Sequence, residues 1–264
     1  MVIEWDPGPA PAIRTILEQA PISEYENVPS RFRLEWGPMY YRGRTDGSAR
    51  LLIIGQDPAA DENIARRVMV GTAGQRLQGY LAKLGITRSY VIVNSVLYSI
   101  FGQFDAGMQA FVDRPAVATW RNQLLGALLT ANTQAILAFG NAAKHVVDTW
   151  PAAAALKAQG HVFNLLHPTA RPESSVRSNW SGKLAAIGAK VSADPDGNRD
   201  LSAYTGSNFK KSDLVRIPLR DFGFGAPAWM GTGNAATRVA KGGPLPAAAK
   251  KVATILVIPG GTLG

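Results

Sequence analysis

The sequence predicts an α/β protein: one three-layer α/β/α domain with a central four-stranded parallel sheet and irregular extensions at both ends. Three observations predict it. Four short apolar runs recur across residues 51–166. Consecutive runs are separated by stretches with helical periodicity, and each run ends on a glycine or a polar pair. Strands alternating with helices build a parallel sheet covered on both faces.

In chain order, residues 11–20 are expected to be helical and 21–49 a mixed segment rich in Tyr, Arg and Pro. Residues 51–54, closed by Gly55, read as a buried strand. Residues 75–84 carry Leu77, Leu81 and Leu84 on one helical face and stop at Gly85. Residues 90–93 form the second strand. Residues 114–129 form a helix with Pro115 in its first turn, and 135–139 the third strand. Residues 141–150 are expected to be a helix capped by Asn141, 161–166 the fourth strand, and 174–190 the last helix. Residues 194–198 form a turn, after which Gly, Pro and Ala become frequent. Residues 217–219 and 254–258 are candidate edge strands, the first weakened by Pro218. The chain thus divides into an N-terminal extension (1–49), a core (50–190) and a Gly/Pro-rich C-terminal extension (191–264).

Composition narrows the function. Among 264 residues, 28 Lys and Arg against 19 Asp and Glu give +9, which favours a polyanionic partner. The excess is uneven: −1 over residues 1–50, +5 over 51–189 and +5 over 190–264. The chain has no cysteine, which removes disulfides, thiolate zinc sites, cysteine-held iron–sulfur clusters and cysteine nucleophiles. The longest apolar stretch, 124–140, is broken by Thr130, Asn132, Thr133 and Gln134, so no membrane span is expected. Glu4 and Asp6 do not make a secretory signal. A cytoplasmic monomer is the expectation.

In open parallel sheets the working crevice lies beyond the carboxyl ends of the strands. Here those ends are Gly55-Gln56-Asp57-Pro58, Asn94-Ser95, Gly140-Asn141 and His167-Pro168. One carboxylate, one histidine and two carboxamides therefore converge on one rim. Each has a plainer reading. Asp57 before Pro58 suits a turn, Asn94 suits a buried carboxamide tying a loop to the backbone, and Gly71-Thr72-Ala73-Gly74 either cradles phosphate or only turns tightly. His145 and His161 read as structural or solvated. There is no P-loop, dinucleotide fingerprint or Gly-x-Ser-x-Gly elbow. The three histidines lack metal-ligand spacing, and neither metal nor cofactor is expected.

From Leu51 to about Lys190 the chain resembles the uracil-DNA glycosylase superfamily. Gly55-Gln56-Asp57-Pro58 matches the first motif of the classical members, and the stretch from Arg67 to Gln75 resembles the corresponding turn of the thermophile type, which carries an iron–sulfur cluster. Val91-Ile92-Val93-Asn94 resembles the strand ending in the uracil-reading Asn, Phe139-Gly140-Asn141 the glycine turn, and Leu165-Leu166-His167-Pro168 the second catalytic motif. There are departures. Ala59-Ala60 stands where the classical motif continues Tyr-His, Met69 where relatives stack a Phe on uracil, and the cluster cysteines are missing. The resemblance is to a divergent, cluster-free bacterial-type member.

The resemblance implies removal of uracil from single- or double-stranded DNA, leaving an abasic site. It gives Asp57 and His167 the catalytic roles: Asp57 steadies the cationic sugar and orients water, and His167 donates to uracil O2. Gln56, Met69 and Asn94 would hold the base. Arg171 would fill the vacated stack or hold a phosphate, unless it is a solvated surface Arg. Thr169, Ser174, Gly71 and Gly74 would meet phosphates. Two other classes fit less well: a damage-recognition module that binds uracil or abasic DNA without turnover has no need of both Asp57 and His167, and a nucleoside hydrolase has none for +9.

Overall fold

The structure is a computed structural model and describes residues 5–223. Its sheet contains the four predicted strands, β2 (Leu51–Gly55), β3 (Tyr90–Asn94), β4 (Ala135–Phe139) and β5 (Val162–Leu165), parallel to one another. A fifth strand, β1 (Tyr41–Gly43), corrects the four-stranded expectation by pairing antiparallel with β3 at the edge. The order is β1-β3-β2-β4-β5. Every residue of β2, β3 and β4 is buried, as continuous apolar runs require in a sheet covered on both faces.

Strand alternation divides the core between the two faces. Leu52, Ile54, Val91, Val93, Ile136 and Ala138 point to one face, packing with α1 (Pro11–Glu18), α6 (Pro115–Leu128) and α7 (Asn141–Thr149). Trp120 of α6 donates its indole N–H to the Ile16 carbonyl of α1 at 2.7 Å. Leu51, Ile53, Tyr90, Ile92, Leu137 and Phe139 point to the other face, toward α4 (Thr72–Lys83) and α9 (Glu173–Lys190). There Trp180 is fully buried, its ring 5.0 Å from Tyr80 and 5.4 Å from Phe139. Three layers result.

β1 escapes sequence patterning because its middle residue, Arg42, is a cation that is fully buried. It is compensated by Asp221 Oδ2 at 2.7 Å, with Gln78 Oε1 and the Val68 carbonyl accepting further bonds. Gly43, at φ +96°, could carry no side chain: a Cβ would sit 2.3 Å from the Tyr90 carbonyl. The segment after α9 lies against the same side of the sheet. Asp194 accepts the backbone N–H groups of Thr87, Arg88 and Ser89, and residues 219–221 form a short 3₁₀ turn. The strand expected at 217–219 is therefore not formed: Pro218 cannot donate to a ladder, and its carbonyl accepts from Asp221 N–H within that turn. The other candidate, 254–258, lies outside the described residues.

Among the described residues there are also short helices without enough turns to show a period: α2 (Ile22–Glu26), α3 (Ala60–Ala65), α5 (Ala106–Val112) and α8 (Ala153–Ala158). Asn141 is the first helical residue of α7 rather than its cap. Gly140 takes the cap position at φ +90°, a conformation that favours glycine.

Candidate functional site

β2 connects toward β3 on one side and β4 toward β5 on the other, so the sheet's switch point lies between β2 and β4. That is where an open α/β sheet leaves a crevice. At the carboxyl end of β2, Gly55, Met69 and Asn94 lie together. Gly55 stands opposite Asn94 in the parallel register, and a Cβ on Gly55 would lie 2.4 Å from Asn94 Oδ1 and 3.6 Å from Met69 Sδ. Ser95 fixes the strand end, donating both its N–H and its hydroxyl to the Gly55 carbonyl. The Asn94 side chain is buried, and neither Oδ1 nor Nδ2 has a hydrogen-bond partner. An unmet buried polar group costs about 1–3 kcal/mol, so this carboxamide favours a polar partner such as an ordered water or a ligand.

Asp57 stands just past β2. Its Oδ2 accepts the Ile100 N–H at 3.3 Å and its Oδ1 the Gln56 side-chain amide at 3.1 Å. Burial pushes the carboxyl up to about 6; these two hydrogen bonds oppose the rise and the Glu62 charge adds to it. Glu62, on α3, ties the turn after β2 to the turn that leads into α4. One oxygen accepts Ala59 N–H at 3.0 Å, and the other accepts Val70 N–H at 2.8 Å and Gly71 N–H at 3.3 Å.

Met69 is buried in a left-handed conformation, φ +55°. Its carbonyl would be 1.7 Å from a Cβ on Gly74, and Asp61 Oδ2 would be 2.4 Å from one on Gly71. Close packing thus accounts for both glycines, and the Gly71 N–H is already given to Glu62.

On the far side, Gly140 donates to the Leu165 carbonyl at 2.8 Å and packs under His167; a Cβ there would lie 3.3 Å from the His167 Cβ. Burial lowers the His167 pKa, favouring the neutral ring. His167 Nδ1 accepts the Thr169 N–H at 3.4 Å and lies 3.1 Å from Thr169 Oγ1. A ring whose Nδ1 accepts that N–H carries its proton on Nε2. The loop itself is held by α9 and α4. Asn179 and Trp180 bond to the Leu166 backbone, and Arg76 donates to the Pro168 carbonyl at 2.8 Å while pairing with Glu173. Arg171, Thr169 and Ser174 are exposed on the outer side, Arg171 bonded to Glu173 at 3.0 Å.

His145 binds Asp113 and His161 binds the Gln134 carbonyl, both in structural contacts. Sequence reasoning missed Glu62, Arg76 and the Ile100 amide. None carried a motif signal: Glu62 stands three residues past Ala59, which has no side-chain oxygen to complete a capping box.

Among the described residues no group of three or more His, Asp or Glu side chains is placed to hold a metal ion. The cysteine donors of an iron–sulfur cluster are missing from the whole sequence, so the chain does not fit that group. The loop after β3 is braced instead by aromatic packing. The Tyr25 ring lies 4.9 Å from Phe32, Tyr98 and Phe111, and its hydroxyl accepts the Leu97 N–H at 3.2 Å.

The doubly wound sheet thus carries an unpartnered carboxamide, a carboxylate and a histidine at or just past the carboxyl ends of its parallel strands. The sequence pattern of the uracil DNA glycosylase superfamily matches residues 42–181, just over half of the chain and the part that contains this crevice. The protein belongs to the uracil DNA glycosylase superfamily. Members are typically DNA glycosylases, hydrolases of base excision repair, and the family implies a DNA substrate. No curated protein matches the chain. No helix among the described residues is long and apolar enough to cross a membrane.

Proposed function

We propose that the protein hydrolyses the N-glycosidic bond of deoxyuridine flipped out of DNA, releasing uracil and leaving an abasic site for base excision repair. The observation that carries this reading is the buried Asn94 carboxamide with both polar atoms unpartnered. Its NH₂ suits uracil O4 and its carbonyl suits N3–H. Cytosine offers a donor at C4 and a bare N3, so both bonds would be lost and the amide left stranded. Gly55 leaves room for the Asn94 carboxamide, and the Met69 thioether covers a pyrimidine face.

Flipping costs a few kcal/mol, recovered by contacts to the extruded nucleotide. As C1′–N1 breaks, its electron pair leaves with uracil and positive charge develops on the sugar. Asp57 is about nine-tenths ionised at neutral pH with a pKa of about 6. It faces that charge, orients water toward C1′ and takes up the proton the water loses. His167 donates from Nε2 to O2 of the departing base, a contribution of about 3–4 kcal/mol for one preorganised donor. Arg171, Thr169 and Ser174 meet neighbouring phosphates. A carboxylate kept where its charged form is disfavoured serves chemistry better than mere binding, which favours an enzyme over a damage-recognition module. The test is a labelled oligonucleotide with one deoxyuridine, incubated with the protein and then treated with alkali. A cut strand at that position is expected; an intact strand would leave only a binder.

A further inference from the structure

Residues 99–101, which bring the Ile100 N–H to Asp57, pair with residues 31–33. Arg33 N–H donates to Ser99 O and Phe101 N–H to Arg31 O, each at 2.9 Å, around an antiparallel bridge between Phe32 and Ile100. Alternation in so short a ribbon sends Phe32 and Ile100 into the core and leaves Arg33 and Phe101 on the opposite side. There the Arg33 guanidinium lies 4.3 Å from the Phe101 ring centroid and 4.9 Å from that of Trp36. Phe101 remains 40% exposed, an uncommon state for a large apolar ring. Arg66 joins the group by donating to the Trp36 and Pro38 carbonyls. Among the described residues neither Arg33 nor Arg66 has a carboxylate within ion-pair distance.

An exposed aromatic ring stacked on a cation, with a second uncompensated cation beside it, is the chemistry that holds unpaired nucleic acid: rings for bases, guanidinium groups for phosphates. Its position names the occupant. Phe101 is the residue next to Ile100, with Cα atoms about 3.8 Å apart, so the group lies on the rim of the proposed uracil pocket. We infer that Arg33, Trp36 and Phe101 form a stacking shelf for the base adjacent to the extracted uridine on the same strand, with Arg66 on the backbone phosphate. The inference rests on the proposed glycosylase reading. It gives the protein a preference for single-stranded DNA, whose neighbouring bases are not already committed to a duplex stack.

The experiment uses the full chain and a single-stranded oligonucleotide with 2-aminopurine placed on either side of 2′-fluoro-deoxyuridine, a nucleotide that resists cleavage. The 2-aminopurine fluorescence changes on binding to wild type and to Phe101→Tyr on one side of the uridine, and this change is lost with Phe101→Ala and reduced with Arg33→Gln. On cleavable single strands, Phe101→Ala raises KM about tenfold and leaves kcat within about twofold, as loss of one base–aromatic stack predicts. Unaltered fluorescence and KM in both Phe101→Ala and Arg33→Gln, with wild type still excising uracil, would overturn the shelf alone. Wild type that neither binds nor excises would overturn the glycosylase reading and the shelf with it.

Discussion

Gly55 and Asn94 face each other in the parallel register of β2 and β3 so closely that a Cβ on Gly55 would stand 2.4 Å from Asn94 Oδ1. The carboxamide keeps its place because Gly55 has no side chain. Gly55→Ala pushes the amide aside, and a misplacement of about 1 Å at a reading group lowers the rate by roughly 10²-fold. Steady-state excision kinetics check this, with a loss of that size expected alongside a near-native Tm.

Asn94 has two buried polar atoms without a protein partner. Asn94→Ala removes them, and with them penalties of about 1–3 kcal/mol each, offset in part by the small cavity left behind. The expected outcome is a variant at least as stable as wild type by calorimetry, yet unable to excise uracil. A large drop in Tm would show instead that the amide holds the fold together.

The Asp57 carboxyl is raised from 3.8 to about 6. In the free protein kcat/KM therefore falls tenfold per unit as pH drops below about 6. Stability runs the other way. A carboxyl that holds its proton more tightly when folded favours folding most below its unfolded value, and that advantage is lost as pH rises from about 4 to about 6. Asp57→Asn should abolish catalysis while stabilising the protein at pH 7.5 by about 1–2 kcal/mol, once partial solvent screening is allowed for. Urea unfolding of the two proteins at pH 4 and pH 7.5 measures this, with a gain only at the higher pH.

Glu62 joins Ala59, Val70 and Gly71 through both carboxylate oxygens. Glu62→Gln keeps one accepting oxygen and turns an NH₂ toward backbone donors. A loss of about 1–3 kcal/mol in stability is expected for the unmet groups. Excision kinetics of Glu62→Gln should show kcat falling by more than KM rises, since the clamp positions Asp57 and Met69 rather than touching DNA.

Arg42 and Asp221 form a fully buried ion pair that holds β1 to the segment after α9. Asp221→Ala leaves the guanidinium buried and uncompensated, at about 3–5 kcal/mol. Thermal unfolding checks it; a change within a few tenths of a kcal/mol would mean that the segment contributes little to the sheet edge.

Much of this architecture is legible in the amino-acid sequence alone. β2, β3 and β4 are buried on both faces, so each is written as an unbroken apolar run, and the topology then places Asp57, Asn94, Gly140 and His167 on one rim without further information. What the sequence hides acts at long range or through backbone atoms. Arg42 reads as a surface cation until Asp221 arrives from 179 residues away. The Ile100 amide is a main-chain group, with nothing in its side chain to announce it. Arg76 reaches a carbonyl 92 residues on. Asn141 reads as a cap because carboxamides often are, but the approach of His167 requires Gly140 there instead.

The proposed glycosylase removes uracil and reads it through Asn94. Its most direct test is free base released from oligonucleotides containing a single deoxyuridine, cytidine or thymidine, quantified by chromatography for wild type and Asn94→Ala at equal protein concentration. Wild type is expected to release uracil and no cytosine, and Asn94→Ala to lose uracil release while its fold is retained. No uracil from wild type, or equal release by both proteins, would contradict it.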